Sequence, residues 1–309
     1  MVITVTLNPA LDKTLTIDNF NLGIVNRAAS VRHDIGGKGI NVSKVLKNFN
    51  IDSVCTGFLG GVWENYFLDE LNKRKIDTSF VHIDGSTRTN TKVVDSINKI
   101  YTDINEAGPE ISNEELACFL DEFEALCSKG DIVVLSGGVS SSIPIDIYGK
   151  LIKLARKKDA ITVLDADGEL LKHGLKEGPD IIKPNIHELQ KLMGFKKEDE
   201  EAVINAAKQL IETGVKKVLV SLGEKGAIYV TKAGINSCEG LKVNVKSTVG
   251  AGDSMVAALV YSLINSLSDE EALAFANACG AASVETEGTE ACSLEEVNKL
   301  VQKVNVKHI

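Results

Sequence analysis

STVGAGDSMVAALVYSLI, residues 247–264, sets two glycines one residue apart directly before an apolar run long enough to form a buried helix. Glycine permits a tight turn and a close approach of backbone to ligand. The first N–H groups of a helix, at its positive dipole end, have no intrahelical partner and point outward. Thr248-Val249-Gly250-Ala251-Gly252-Asp253 is therefore a phosphate site in outline. Asp253 falls in the first turn, where the dipole favours its ionised form. A carboxylate beside an anion hole makes sense if the anion is a phosphoryl group in transit and the carboxylate positions the hydroxyl that attacks it. Taken alone, GAGD reads equally well as a turn followed by an N-terminal helix acid, so the rest of the chain has to decide.

Upstream of that stretch the pattern is regular. Helix 111–129 opens on a Ser112/Glu115 capping box. Strand DIVVLSGG, helix DIYGKLIKLARKK, strand AITVLDADG, strand DIIKPN, helix EEAVINAAKQLIETG and strand KKVLVSLG follow, then short strands AIYVTK and GINSCEG. Apolar strands alternating with helices predict an α/β fold with a mostly parallel sheet covered on both faces. The chain is expected to end in helices DEEALAFANACGAASVET and SLEEVNKLVQKV. Ligands in such a sheet collect at the carboxyl ends of strands. Ser136-Gly137-Gly138, Asp165, Lys183-Pro184-Asn185 and Ser221-Leu222-Gly223 with Gly226 all fall at such ends. Asn185 and Glu188 share a face if helical, where an acid near phosphates holds Mg²⁺ through water; Asn185 as a plain helix cap is the alternative.

The first half is less uniform. Residues 2–8 read as a strand ended by Asn8-Pro9, with Asp12 just beyond as a candidate acceptor for substrate hydroxyls or a simple turn acid. TLTIDNF and NRAASVRHDI, and later RTNTKVVDS and KIYTDINEAG, are short, alternating and half polar, which suits a lid or an edge hairpin rather than the main sheet. Arg88 opens the second pair, as a ligand group or as a solvated surface arginine. Between the pairs, GGKGINVS (36–43) brackets Lys38 with glycines before a helix carrying Val42, Val45, Leu46 and Phe49. It is neither a Walker A loop nor a dinucleotide fingerprint, but a lysine and an asparagine at a glycine-rich helix start suit an anionic ligand.

Composition narrows the class. The chain has 309 residues, 44% hydrophobic and 25% charged, with a formal net charge of −9, which argues against unspecific nucleic-acid or anionic-membrane binding. No apolar run approaches a membrane span and the N-terminus alternates like a strand, so a cytoplasmic protein is expected. The six cysteines (55, 118, 127, 238, 279, 292) show no CxxC and no metal spacing, and the five histidines are scattered.

GGKGINVSKVL near the start paired with STVGAGDSM near the end resembles the two signatures of the ribokinase-like carbohydrate kinases, the phosphofructokinase B family. IIKPNIHEL and VSLGEKGA also match that family's spacing, and the resemblance runs over essentially the whole chain. It implies a single domain over 1–309: a three-layer sandwich with a central, mostly parallel sheet, and a β lid from about 12–34 and 87–106 that also serves as a homodimer contact. TLNPALD, GGKGINVSKVLKNFNID, TRTNTKV and TDINEAGPEIS resemble most the branch that uses ATP to convert fructose 1-phosphate into fructose 1,6-bisphosphate. Branches acting on tagatose 6-phosphate and fructose 6-phosphate share these motifs.

Carried over residue by residue, the resemblance implies Asp253 as catalytic base, with Gly250, Ala251 and Gly252 as the anion hole. Asp12, Gly37, Lys38, Asn41 and Ser136 are implied on the sugar-phosphate side, with Arg88 and Arg27 reaching its phosphate from the lid. Lys183, Asn185, Ser221, Gly223, Gly226, Thr248 and Asn277 are implied on the ATP side, and Glu188 is tied to Mg²⁺. SGGVSSSIP (136–144) departs from the usual SGSLP. Two other readings stand beside this one: a kinase of an unphosphorylated sugar or nucleoside, against which clustered arginines speak, and an inactive sugar-phosphate-binding regulator, which has no use for an aligned base.

Overall fold

The computed structural model describes all residues except 197, 198, 287 and 289. The N-terminal half contains β1 (Val2–Thr6), β2 (Ala10–Ile17), β3 (Ala28–Gly36), α1 (Lys38–Asn48), β4 (Ser53–Gly60), α2 (Glu64–Lys73), β5 (Asp77–Ile83), β6 (Arg88–Asp95) and β7 (Ile100–Asn105). Next come α3 (Asn113–Leu126), β8 (Ile132–Ser136), α4 (Ile147–Lys157), β9 (Ile161–Asp165), α5 (Gly168–Leu175), β10 (Ile181–Ile182), α6 (Ile186–Met193) and α7 (Glu200–Glu212). The last part holds β11 (Lys217–Ser221), β12 (Ala227–Thr231), β13 (Ile235–Cys238), α8 (Ala251–Ile264), α9 (Asp269–Val284), α10 (Leu294–Val301) and β14 (Val306–His308).

Ten strands form one sheet in the order β14-β13-β12-β11-β10-β9-β8-β1-β4-β5. From β11 to β5 every pairing is parallel, and β12, β13 and β14 add antiparallel strands at one edge. The parallel strands are buried on both faces, which is why they read as unbroken Val/Ile/Leu runs: VITVT, IVVLS and ITVLD. Side chains of α3–α7 pack one face around Phe119, Phe123, Tyr148 and Leu151. The other face carries α1, α8, α9 and α10 around Val42, Leu46, Val256 and Phe275. α8 is apolar almost all round, as a helix enclosed between sheet and neighbouring helices must be.

A second sheet, order β3-β2-β6-β7, stands apart from the first. Its strands are the polar, alternating segments set aside from the main sheet in the sequence, and β7 is exposed along its whole length. Among the described residues no helix is long and apolar enough to cross a membrane.

Three sequence expectations need correction. AITVLDADG and DIIKPN do not succeed one another directly, because α5 lies between them and supplies the crossover that two parallel strands require. Its eight residues, GELLKHGL, include two glycines and no side-chain cap, so the helical signal is weak. DIIKPN is a two-residue strand followed by an isolated bridge from Asn185 to Ser221, because Pro184 has no N–H for the ladder. The chain ends in a strand, β14, which pairs with β13.

The strand order reverses between β1 and β8: the chain proceeds from β1 through β4 to β5, then returns to β8 on the other side of β1. At such a switch point the loops leaving neighbouring strands diverge and open a crevice at the carboxyl ends.

Candidate active site

A cleft of about 450 Å³ occupies that crevice. Thr6 and Asn8 enter it from the end of β1, Ser136, Gly137 and Gly138 from β8, Asp165 from β9, Lys183 and Asn185 from β10 and Ser221 from β11. The start of α1 adds Gly37, Lys38 and Asn41, the start of α8 adds Gly250, Gly252 and Asp253, and the small sheet adds Asp12, Arg88 and Asn90. The two glycine motifs and the acid at the strand exit thus meet in one place.

Both helix starts are built by glycine. Gly250 takes a φ of 85°, a left-handed conformation that costs other residues, and no side chain caps α8. By contrast α9 and α10 open on capping boxes at Ser268 and Ser293. The opening N–H groups of α8 are therefore free of a side-chain partner and lie at the cleft wall, the condition for anion binding.

Asp253 is 6% exposed. Its Oδ2 accepts a hydrogen bond of 2.8 Å from Asn41 Nδ2. Burial, reinforced by the charge of Asp165, raises its pKa to about 6 against the opposing effects of Asn41, Lys38 and Lys183. This corrects the expectation drawn from the helix dipole: desolvation outweighs the half-charge of a helix end.

Asp165 organises the cations. Lys38 Nζ lies 3.3 Å from its Oδ2 and Lys183 Nζ 3.3 Å from its Oδ1. Burial alone would push the Asp165 carboxyl up, but the two ammonium groups hold it below the usual range. Burial likewise opposes the charge on Lys38, and Asp165, Asp253 and Glu188 together overcome it and hold the ammonium above its ordinary value. A Cβ on Gly252 would stand 3.3 Å from Lys183 Nζ, so the lysine lies against the glycine turn. The sequence pointed to Asp165 only as a strand-end group; the strand-end rule was the signal, and the lysine pair gives it a task.

On the far side, Asp12 Oδ1 accepts from Asn90 Nδ2 at 3.2 Å and its Oδ2 lies 3.6 Å from Lys92 Nζ. Asn90 and Lys92, two apart on β6, share a face of the small sheet; neither was expected from the sequence. Arg88 donates from Nη1 to the Glu106 carbonyl at 2.8 Å and from Nη2 to the Asn8 carbonyl at 3.4 Å.

Other expected residues fall differently. Glu188 and Asn185 form a capping box: Asn185 Oδ1 accepts from the Glu188 N–H and Glu188 Oε2 from the Asn185 N–H, both at 2.9 Å. Asn185 is thus the cap of α6 and lies outside the helix, although both residues line the cleft. Gly223 and Gly226 make the turn between β11 and β12, and Thr248 and Ala251 flank the glycine turn; none of the four lines the cleft. Asn277 is buried on α9 and gives its Nδ2 to the Glu239 carbonyl at 3.0 Å. Arg27 is exposed on the segment before β3 and does not reach the cleft of its own chain. Gly138, in the segment that departs from the common pattern, does stand at the wall.

The chain has relatives among known proteins over essentially its full length. The chain is 36% identical to 1-phosphofructokinase of Bacillus subtilis (strain 168) over 311 residues, covering 100% of both chains. It is 32% identical to tagatose-6-phosphate kinase of Staphylococcus epidermidis (strain ATCC 12228 / FDA PCI 1200), covering 99% of each. Phosphofructokinase-2 from Escherichia coli, solved in complex with substrates and products, superposes with a TM-score of 0.93 over 98% of each chain at 27% identity. Residues 5–296 match the pfkB family carbohydrate kinases, and the chain belongs to that family.

Proposed function

We propose that this kinase transfers the γ-phosphoryl group of ATP to the free terminal hydroxyl of fructose 1-phosphate. The observation that carries the reading is Asp253, a buried carboxylate with a pKa of about 6, at an uncapped helix start and in one cleft with two paired lysines and with Asp12 and Arg88. A loose phosphoryl-transfer transition state asks mainly for alignment and charge stabilisation. Asp253 accepts the proton of the attacking hydroxyl. Lys38, Lys183 and the N–H groups opening α8 face the negative charge on the moving group, and Asp165 keeps both ammonium groups in place. Asp12 orients sugar hydroxyls, and Arg88 meets the phosphate already present on the sugar.

The donor set suits Mg²⁺, which takes oxygen ligands and keeps several waters. Glu188 lines the cleft, and its Oε1 takes no part in its capping box. That carboxylate would hold the ion through water, while each Asp165 oxygen faces an ammonium at 3.3 Å. When bound, Mg²⁺ screens the charge of the nucleotide phosphates.

The small sheet carries Asp12 and Arg88 and acts as a lid over the sugar. It is also the contact for a homodimer, and the protein works in the cytoplasm. The similarity to a tagatose-6-phosphate kinase makes tagatose 6-phosphate the second candidate substrate. ADP release measured against fructose 1-phosphate, tagatose 6-phosphate, fructose 6-phosphate and ribose tests the reading. Fructose 1-phosphate is expected to give the highest kcat/KM, and ribose to be at least about 10²-fold poorer for want of a phosphate. Preference for ribose, or sugar-phosphate binding without turnover, overturns it.

A further inference from the structure

Lys44 is a buried cation that the phosphoryl-transfer reading leaves without a task. It is 5% exposed, in the middle of α1. Its ammonium donates to the Ile35 carbonyl in β3 and, at 3.3 Å, to Asn41 Oδ1 one helical turn earlier. Asn41 passes the contact on, giving Nδ2 to Asp253 Oδ2 at 2.8 Å.

The chemistry of the three groups leaves one arrangement. A lysine ammonium has only donors and an ionised carboxylate only acceptors, whereas a carboxamide has one end of each kind. With lysine on one side and aspartate on the other, the Asn41 oxygen must face Lys44 and its NH₂ must face Asp253. Without Lys44 nothing on that side distinguishes the amide from its flipped form, which would set an oxygen against the carboxylate.

We propose that Lys44 is a positioning residue for phosphoryl transfer: it fixes the Asn41 amide so that its N–H holds the Asp253 carboxylate in place, and ties the base to β3 through the Ile35 carbonyl. The proposal rests on the reading of Asp253 as the base. Burial, helped by Arg74, lowers the Lys44 pKa to about 8, while Asp34, Asp12 and Cys55 pull the other way. A neutral amine still carries two N–H donors, so the arrangement does not depend on the charge of Lys44.

The test compares Lys44→Met, Asn41→Ala and the double variant with wild type. Lys44→Met is expected to lower kcat about ten-fold, the worth of one hydrogen bond, with both KM values within about two-fold. In the Asn41→Ala background it should cost nothing more, because the route to Asp253 is already cut. Lys44→Arg, which keeps donors toward Asn41, should recover most of the loss. Carbon-13 NMR titration of the aspartates adds a readout independent of turnover. With Asp165, Lys38 and Lys183 still facing it, the Asp253 carboxyl should titrate about half a pH unit or more higher in Lys44→Met, having lost an oriented hydrogen bond to its charged form. A Lys44→Met protein with lowered Tm, unchanged kcat and an unmoved Asp253 midpoint overturns the proposal, as does full additivity in the double variant. Absence of turnover in wild type would instead overturn the functional reading, and the titration would still decide the role of Lys44.

Discussion

Asp253 serves two demands that oppose each other. As the proposed base it must be ionised at working pH, yet burial favours its protonated form and raises its pKa to about 6. The acid limb of kcat is therefore expected near pH 6, with activity rising as the pH passes that value. For stability the sign is reversed from the usual carboxylate. The native state binds this proton more tightly than the unfolded chain, whose value is 3.8, so the contribution is fully present below about pH 4 and is lost as pH rises through 6. Two pKa units correspond to about 3 kcal/mol at most. Asp253→Asn, which can still accept the Asn41 N–H, should thus cost about 10²-fold or more in kcat and yet raise stability at pH 8 by about 1–3 kcal/mol. Denaturant melts at pH 5 and pH 8 check this; an Asn variant with near-normal turnover, or one less stable than wild type at pH 8, contradicts it. That Asp253, Lys38 and Asp12 line the cleft was legible from their motifs and from a strand exit, whereas Arg88 was assigned only through the family resemblance. Asn90 and Lys92 were not legible, since their approach to Asp12 depends on β2 pairing with β6 across 78 positions, which alternation alone does not reveal.

The two cleft-facing helices start on glycines for different reasons, and substitution should separate them. At Gly250 the difficulty is φ alone: an added Cβ would find its nearest neighbour, Ser283 Oγ, 4.0 Å away. At Gly37, with a φ of 133°, the Cβ would also stand 2.5 Å from Thr6 Cγ2, and Thr6 cannot retreat without breaking the bond its Oγ1 accepts from the Ile40 N–H. Gly250→Ala should cost about 1–2 kcal/mol and Gly37→Ala about 1–3 kcal/mol more. Equal losses in urea unfolding would show that the contact with Thr6 is unimportant. The same balance of local and distant causes explains what the sequence revealed of the fold. Long apolar strands and capped helices such as α3, α9 and α10 carry their own signals. α5 and β14 do not: the first is required by the parallel pairing of β9 with β10, the second by an open edge at β13, and both causes lie outside their own residues. Asn185 and Glu188 illustrate the reverse, a spacing that signals a capping box as well as it signals a ligand pair.

The small sheet is the least self-sufficient part of the molecule. Its inner side brings Asp12, Arg88 and Asn90 to the cleft, but Leu22, Ile24, Val25, Val31, Ile100, Tyr101 and Ile104 on the sheet and the segment leading into β3 are each more than half exposed. Among the described residues its edge strands β3 and β7 each pair with a strand on one side only. Apolar surface gathered on a thin sheet invites burial against a second copy, and a two-fold contact lets the same patch cover itself. Wild type is expected to sediment as a dimer at micromolar concentration, and Val25→Asp with Tyr101→Asp as a monomer. Because Asp12 and Arg88, proposed for the sugar, lie on the sheet and none of the residues proposed for the nucleotide does, the monomer should show a KM for the sugar phosphate raised several-fold, and one for ATP changed far less. A wild-type chain that sediments as a monomer removes the lid contact as the interface. A monomeric variant with both KM values intact would mean that the sheet holds Asp12 and Arg88 in place without help from a partner.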